Sequence, residues 1–329
     1  MTIRISDVAA RAAVSTATVS HVINNTRKVT EETKEKVWQA IQELGYSPNV
    51  SARNLKTGRT RMIGLIIPDI SNLFFAMVAR QIENILGKQD YNLIIMNSDE
   101  NLSKEISHIQ HITSGLVDGL IIASAAQDYA QLDNHIPANF PCVFFDRRLI
   151  GNPHESVLVS SDVAMQQGVS ALLSRGHKRI GYIAGLQGIS TTEDRLQSFK
   201  NALQNLDAEF DPRLVQYGNS IDSTTFASIG ALIKEKCTAI VVSNNLMSAQ
   251  AVYKLASMGL KVGEDVDLLT YKDYEYYSYD LTQCDMIVQP INQLGGIIGN
   301  GILDRIQRDD VMAREIVLVS SFQPRLLNP

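Results

Sequence analysis

From residue 62 onward, short apolar runs alternate with stretches of helical periodicity, and this alternation limits the fold more than any other feature. Met62-Ile63-Gly64-Leu65-Ile66-Ile67 precedes a helical stretch at 74–86, and Tyr91-Asn92-Leu93-Ile94-Ile95-Met96 precedes one at 102–114. Val117-Asp118-Gly119-Leu120-Ile121-Ile122 and Cys142-Val143-Phe144-Phe145 continue the series. It resumes with Arg179-Ile180-Gly181-Tyr182-Ile183, Thr238-Ala239-Ile240-Val241-Val242 and Val266-Asp267-Leu268-Leu269. Near-continuous apolar runs suit strands covered on both faces, and strand-helix alternation over so many units predicts doubly wound parallel sheets. The two series part near Ser160-Ser161-Asp162, so two similar lobes are expected. Open parallel sheets bind ligands at the carboxyl ends of their strands. Candidate ligand residues are therefore Asp69, Ser71, Asn72 and Phe74 after the first run, Asp146 and Arg147 after the fourth, then Asn244, and finally Lys272 with Asp273.

A chain of 329 residues exceeds what one hydrophobic core organises. With 45% hydrophobic and 20% charged residues and no apolar run near the ~20 residues of a membrane span, no membrane association is expected. The start, Met1-Thr2-Ile3-Arg4-Ile5-Ser6-Asp7, has no secretory pattern, which predicts a cytoplasmic protein. Cys142, Cys237 and Cys284 are odd in number and form no CxxC pair, so buried thiols are expected rather than disulfides or structural zinc. His108 and His111 have no third ligand nearby in sequence, and no metal or other cofactor is expected. Gly295-Gly296-x-x-Gly299-x-Gly301 lacks the Lys-Ser/Thr of a phosphate loop and reads as close helix packing. No Ser/His/Asp or paired-carboxylate constellation points to an enzyme.

The net charge of -5 is unevenly spread. Residues 1–61 hold ten Lys/Arg against five acids, leaving twenty basic against thirty acidic residues behind them. A basic head on an acidic body fits a polyanionic ligand at one end.

That head has its own pattern. Ser6-Asp7 supplies an N-cap and acidic first turn for a short helix through Val8, Ala9, Ala10, Ala12 and Ala13. Ser15 caps a second, in which Val19, Val22 and Ile23 face inward and Thr16, Ala17, Ser20 and His21 face out. Two short helices across a tight turn, the second with a polar outer face, form a helix-turn-helix whose second helix suits the major groove. A third helix runs from the Thr30 cap to Gly45, with Val37, Ile41 and Leu44 as its stripe and Trp38 expected as a core pillar. Beyond Pro48 lies a short helix-compatible segment in which Leu55 sits between Arg53 and Lys56. An apolar side chain flanked by cations is what a minor-groove wedge requires.

These motifs together resemble the lactose-repressor (LacI/GalR) family. The resemblance in residues 5–64 rests on Asp7-Val8-Ala9, Val14-Ser15-Thr16-Ala17-Thr18-Val19-Ser20-His21-Val22-Ile23-Asn24, Gly45-Tyr46-Ser47-Pro48-Asn49 and Ala52-Arg53-Asn54-Leu55-Lys56. It implies base reading by Thr16, Ala17 and His21, minor-groove contact by Leu55 and Lys56, and phosphate contact by Ser15, Thr18, Ser20 and Asn24. Ala17 offers only a methyl surface, so specificity leans on Thr16 and His21. The body resembles the same family's periplasmic-binding-protein-like core, through Gly176-His177-Lys178-Arg179-Ile180-Gly181-Tyr182-Ile183, Thr191-Thr192-Glu193-Asp194-Arg195-Leu196 and Ile287-Val288-Gln289-Pro290. By that likeness Thr191 and Arg195 reach the effector from the second lobe and Arg147 from the first.

The sequence departs from the family at Thr270-Tyr271-Lys272-Asp273, where members usually show Gly, an aromatic and Asp after the strand. Ile189 stands where purine-sensing members carry arginine. The resemblance implies an all-α helix-turn-helix head (1–47), a hinge helix and linker (48–61), and an α/β core of two doubly wound parallel-sheet lobes. One lobe takes 62–161 with about 290–320, the other 162–289 with about 321–329. The expected protein is a homodimeric repressor of a carbohydrate-utilisation operon that binds pseudo-palindromic operator DNA, with no C-terminal coiled coil for tetramerisation. Its effector is expected to be a sugar, sugar phosphate or sugar acid, with a nucleobase or nucleoside corepressor as the alternative. Arg147, Arg148, Arg195 and Lys272 would favour an anion if unpaired, and a neutral sugar if paired with Asp146, Asp194 and Asp273. The rival class is a cytoplasmic sugar-binding protein or enzyme with no DNA-binding role.

Overall fold

The computed structural model describes residues 3–24, 26–47, 58–219, 221–272, 283–308 and 312–325. Leu55, Lys56 and Asp273, singled out above, lie outside the described residues. The chain divides into two units, 1–60 and 61–329.

In the first unit, helix α1 (Ile5–Arg11) starts two residues earlier than the Ser6-Asp7 cap expected from sequence would place it. Arg4 holds the N-cap position, and Asp7, at the third helical position, reaches back so that its carboxylate accepts from the Arg4 N–H at 2.8 Å. The turn into α2 (Thr16–Asn24) closes through Val14 N–H to the Ala9 carbonyl (3.0 Å), with Ala13 in the left-handed region at φ 52°. Helix α3 (Glu31–Leu44) ends on Gly45 at φ 62°. Val8, Ala9, Ala12, Val19, Val22, Val37, Ala40 and Ile41 form the core of this unit. Trp38 is not part of it: 47% exposed, it lies about 100° around the helix from Val37 and off the buried stripe. The small core is closed by alanines instead. An Arg11–Glu43 ion pair ties α1 to α3.

The second unit contains two six-stranded sheets. The first holds β1 (Met62–Ile67), β2 (Asn92–Asn97), β3 (Gly119–Ile122), β4 (Cys142–Phe145), β5 (Glu155–Ser160) and β11 (Glu315–Val319), in the order β11-β5-β4-β3-β1-β2 with every pairing parallel. Helices α4 (Leu73–Gly87) and α10 (Ile291–Gln307) cover one face and α5 (Leu102–Thr113) the other. The second sheet holds β6 (Ile180–Ala184), β7 (Val215–Tyr217), β8 (Ala239–Val242), β9 (Asp267–Lys272), β10 (Asp285–Val288) and β12 (Ser321–Gln323), in the order β12-β10-β9-β8-β6-β7. It is parallel except for β12 against β10. Here α6 (Asp162–Ser174) and α7 (Ser190–Asn205) lie on one face, α8 (Thr224–Lys234) and α9 (Asn245–Ser257) on the other.

The chain passes between the two sheets three times, through Ser161, through Gln289-Pro290 and through Ser320. The glycine run at 295–301 is a packing device: a Cβ at Gly295 would strike Gln81, and one at Gly299 would come within 3.0 Å of Ile85, so bare glycines let α10 lie close against α4.

Candidate ligand cleft and DNA-reading face

The carboxyl ends of both sheets face a cleft of about 810 Å³, its open mouth included. From the first lobe come Asp69, Asn72, Phe74, Phe75, Glu100, Asp146 and Arg147; from the second, Leu186, Ile189, Thr191, Arg195, Asn219, Asn244, Asn245 and Gln289 are prominent. Of the effector residues picked from sequence, eight therefore line the cleft: Asp69, Asn72, Phe74, Asp146, Arg147, Thr191, Arg195 and Asn244. Ser71 and Lys272 are not in its wall. The Ser71 hydroxyl and N–H both donate to Asp69 Oδ1, at 2.6 and 2.8 Å, so Ser71 holds a lining residue in place.

Local chemistry fixes these positions. Asn72 caps α4, accepting from Phe74 N–H at 3.1 Å, and Asn244 caps α9, accepting from Met247 N–H at 2.8 Å. The same Asn72 Oδ1 accepts from Asn245 Nδ2 of the opposite lobe at 2.9 Å. Further contacts cross between the lobes, among them Gln127 Nε2 to the Gly188 carbonyl (2.9 Å) and Arg148 N–H to Ser190 Oγ (2.9 Å).

The cations are engaged. Arg147, 8% exposed, makes a two-pronged bond to Glu100 with both contacts at 2.6 Å, and adds a bond to the Ser124 carbonyl at 3.1 Å. Asp146 lies 3.9 Å away. Burial works against the Arg147 charge, but its bonds and proximity to Glu100 outweigh this and leave the guanidinium even harder to deprotonate. Burial pushes the Asp146 carboxyl up despite the opposing pull of Arg147 and Arg195. Beneath them, buried Glu105 accepts from Ser124 Oγ and from Ala125 N–H, and burial raises its carboxyl too. Arg148 pairs with Asp194 at 3.4 Å. Arg195 donates to the Ser243 carbonyl (2.6 Å) and to Gln289 Oε1 (3.2 Å), and lies over the Tyr271 ring at 4.2 Å.

Glu100 was the main omission from sequence. It follows β2 after a turn in which Asp99 and Glu100 both adopt positive φ, 54° and 56°, and no pattern of residue types signals such a turn. The strand-end rule, applied to every strand, would have included it, as well as Asn219 after β7 and Gln289 after β10.

In the first unit, Thr16 and Ala17 are exposed at the start of α2, and His21 is half-buried on its outer face. Ser15 Oγ accepts from Thr18 N–H at 3.1 Å and lies 2.9 Å from Thr18 Oγ1. Asn24 Nδ2 donates to the Ser20 carbonyl at 2.8 Å and approaches Ser20 Oγ at 3.3 Å. Among the described residues no cluster of His, Cys, Asp or Glu is arranged to hold a metal ion, and no helix is long and apolar enough to cross a membrane.

A helix-turn-helix with a polar outer face, carried on the same chain as a two-lobed α/β core with a cleft at its strand ends, defines a ligand-responsive DNA-binding regulator. Comparison with known proteins agrees. Residues 4–49 match the family described as bacterial regulatory proteins, lacI family, and residues 60–306 match the periplasmic binding proteins and sugar binding domain of LacI family. The chain is 32% identical over 309 residues to the HTH-type transcriptional repressor PurR of Aliivibrio salmonicida, covering 92% of each protein. It is 30% identical over 314 residues to the ribose operon repressor of Haemophilus influenzae, covering 95% of this chain and 94% of that one. The crystal structure of the Lac repressor bound to ONPG in its repressed state has the same fold, with a TM-score of 0.85, 24% identity and 99% of both chains covered. The chain belongs to the lacI family and is a DNA-binding transcriptional repressor rather than an enzyme.

Proposed function

We propose that this repressor controls a carbohydrate-utilisation operon and responds to a neutral, polyhydroxylated effector in the cleft. The observation that carries this reading is the neutralisation of the cleft cations, above all the Glu100 clamp on Arg147. Asp69 and Asp146 add negative charge, while Asn72 and Asn244 already occupy donors at the starts of α4 and α9. Carboxylates and amides arranged in this way suit sugar hydroxyls, which both donate and accept, and disfavour a phosphate or sugar acid. The ribose operon repressor among the relatives supports the same class. A nucleobase or nucleoside is the second reading, favoured by the PurR relatives, with Phe74 and Phe75 as apolar surfaces for a flat ring.

On DNA, Thr16, Ala17 and His21 would read bases, Ser15, Thr18, Ser20 and Asn24 would meet phosphates, and Leu55 with Lys56 would enter the minor groove. A homodimer on a pseudo-palindromic operator fits the exposed apolar side chains of Ile70 and Ile95 in one lobe and of Tyr217 and Tyr253 in the other. The cytoplasm is the compartment such a regulator works in.

The test is a thermal-shift panel on the intact protein with neutral sugars, sugar phosphates, sugar acids and nucleobases, followed by operator-release measurements with each hit. Stabilisation by a neutral sugar that also changes operator affinity supports the reading. A response confined to nucleobases or to anionic sugars overturns it.

A further inference from the structure

We infer that Thr26 is a positioning residue that holds the His21 ring with Nε2 toward DNA, and that the pair reads an acceptor edge, that of guanine. This rests on the reading of His21 as a base contact. Beyond the end of α2 the chain folds back on His21: Thr26 N–H donates to the His21 carbonyl at 3.3 Å, and Thr26 Oγ1 lies 2.9 Å from His21 Nδ1. An imidazole on an exposed helix face would otherwise spread over several rotamers, and ordering it at the moment of binding would cost affinity. With Nδ1 occupied by Thr26, Nε2 is the nitrogen left for a base.

The role of one ring nitrogen is set by the partner of the other. When the Thr26 hydroxyl donates to a bare Nδ1, the ring proton sits on Nε2. When the ring is fully protonated, Nδ1–H donates to Oγ1 and Nε2 still carries a proton. In both states Nε2 is a donor. Only the neutral form with its proton on Nδ1 alone would turn an acceptor toward the base, and the negative potential of the phosphates opposes that form. Guanine offers two adjacent acceptors in the major groove, N7 and O6. The neighbouring Ala17 has no polar group to compete for them, so the preference at this position would come from the His21–Thr26 pair.

The experiment uses the intact protein as wild type, Thr26→Ser, Thr26→Val and His21→Ala. An operator is first selected by the wild type from random duplexes. Each guanine in its half-site is then replaced in turn by adenine and by 7-deazaguanine, which between them test O6 and N7. The wild type and Thr26→Ser should each lose roughly tenfold or more in affinity at one particular guanine. Thr26→Val and His21→Ala should lose that sensitivity there while keeping it at the other guanines. The inference is overturned if Thr26→Val keeps full sensitivity at that guanine, or weakens binding to all duplexes alike, as a phosphate contact would. Undiminished sensitivity at every guanine in His21→Ala would instead remove the base-contact reading itself.

Discussion

Replacing Arg147 with methionine tests the electrostatics beneath the cleft. Arg147 forms three hydrogen bonds, two to Glu100 and one to the Ser124 carbonyl, and is the nearest counter-charge for Asp146. Methionine fills much of the same volume, so the loss is electrostatic. It leaves Asp146, Glu100 and buried Glu105 sharing one region with the guanidinium gone. Removing one member of a buried ion pair costs about 3–5 kcal/mol. Glu100 is 23% exposed and keeps some hydration, which brings the expectation to about 3 kcal/mol at neutral pH. For a core of this size that lowers the melting temperature by roughly 6–12 °C.

The loss should depend on pH. A carboxyl whose folded-state pKa lies above its unfolded value penalises folding as pH rises beyond the unfolded value, and the penalty is fully present above the folded one. Asp146 and Glu105 are already raised, and losing Arg147 raises them further. The deficit should therefore be largest at neutral pH and recede toward about pH 4.5, near the unfolded carboxyl range. Urea denaturation of wild type and variant across this interval measures it. A deficit below about 1 kcal/mol at neutral pH, or one that stays constant on acidification, would refute the reasoning.

Three further changes probe other parts of the chain. Gly45→Ala puts a Cβ on a left-handed residue and should destabilise α3 by about 1 kcal/mol, seen as faster amide exchange in that helix; unchanged exchange would contradict the cap geometry. Gly168→Ala places a methyl 2.5 Å from Leu269 Cδ2 in the second-lobe core and should cost about 1–3 kcal/mol by urea denaturation, whereas a neutral result would mean the contact is looser. Glu105→Gln removes a buried carboxyl already pushed toward its neutral form, with Ser124 Oγ able to turn and accept. It should match or exceed wild-type stability at neutral pH and lose that advantage toward about pH 4.5, and destabilisation at neutral pH would count against it.

The lobes were legible in the sequence because parallel strands covered on both faces read as apolar runs. Strands that break this rule were missed. β11 alternates exposed and half-buried residues at a sheet edge, and β5 opens on Glu155, whose buried carboxylate is matched by Arg305 from a helix 150 residues later. Trp38 was misplaced because size suggested a core role, while three alanines and short aliphatics were enough to fill so small a domain. In the cleft, residues after most of the apolar runs were found, but Asn219 and Gln289 follow strands that the sequence reading passed over, Glu100 lies past a left-handed turn and Ser71 acts only through Asp69. The pairing of Arg147 with Glu100 rather than with its neighbour Asp146 depends on the turn after β2, and so on three-dimensional placement.

The three connections between the lobes are one, two and one residues long. Spans that short leave no slack for the lobes to slide apart or pull away from one another. An effector in the cleft can therefore act mainly by swinging one lobe about a line near Ser161, Gln289 and Ser320. The displacement it generates grows with distance from that line, so a small closure at the cleft is geared up toward the far ends of the lobes.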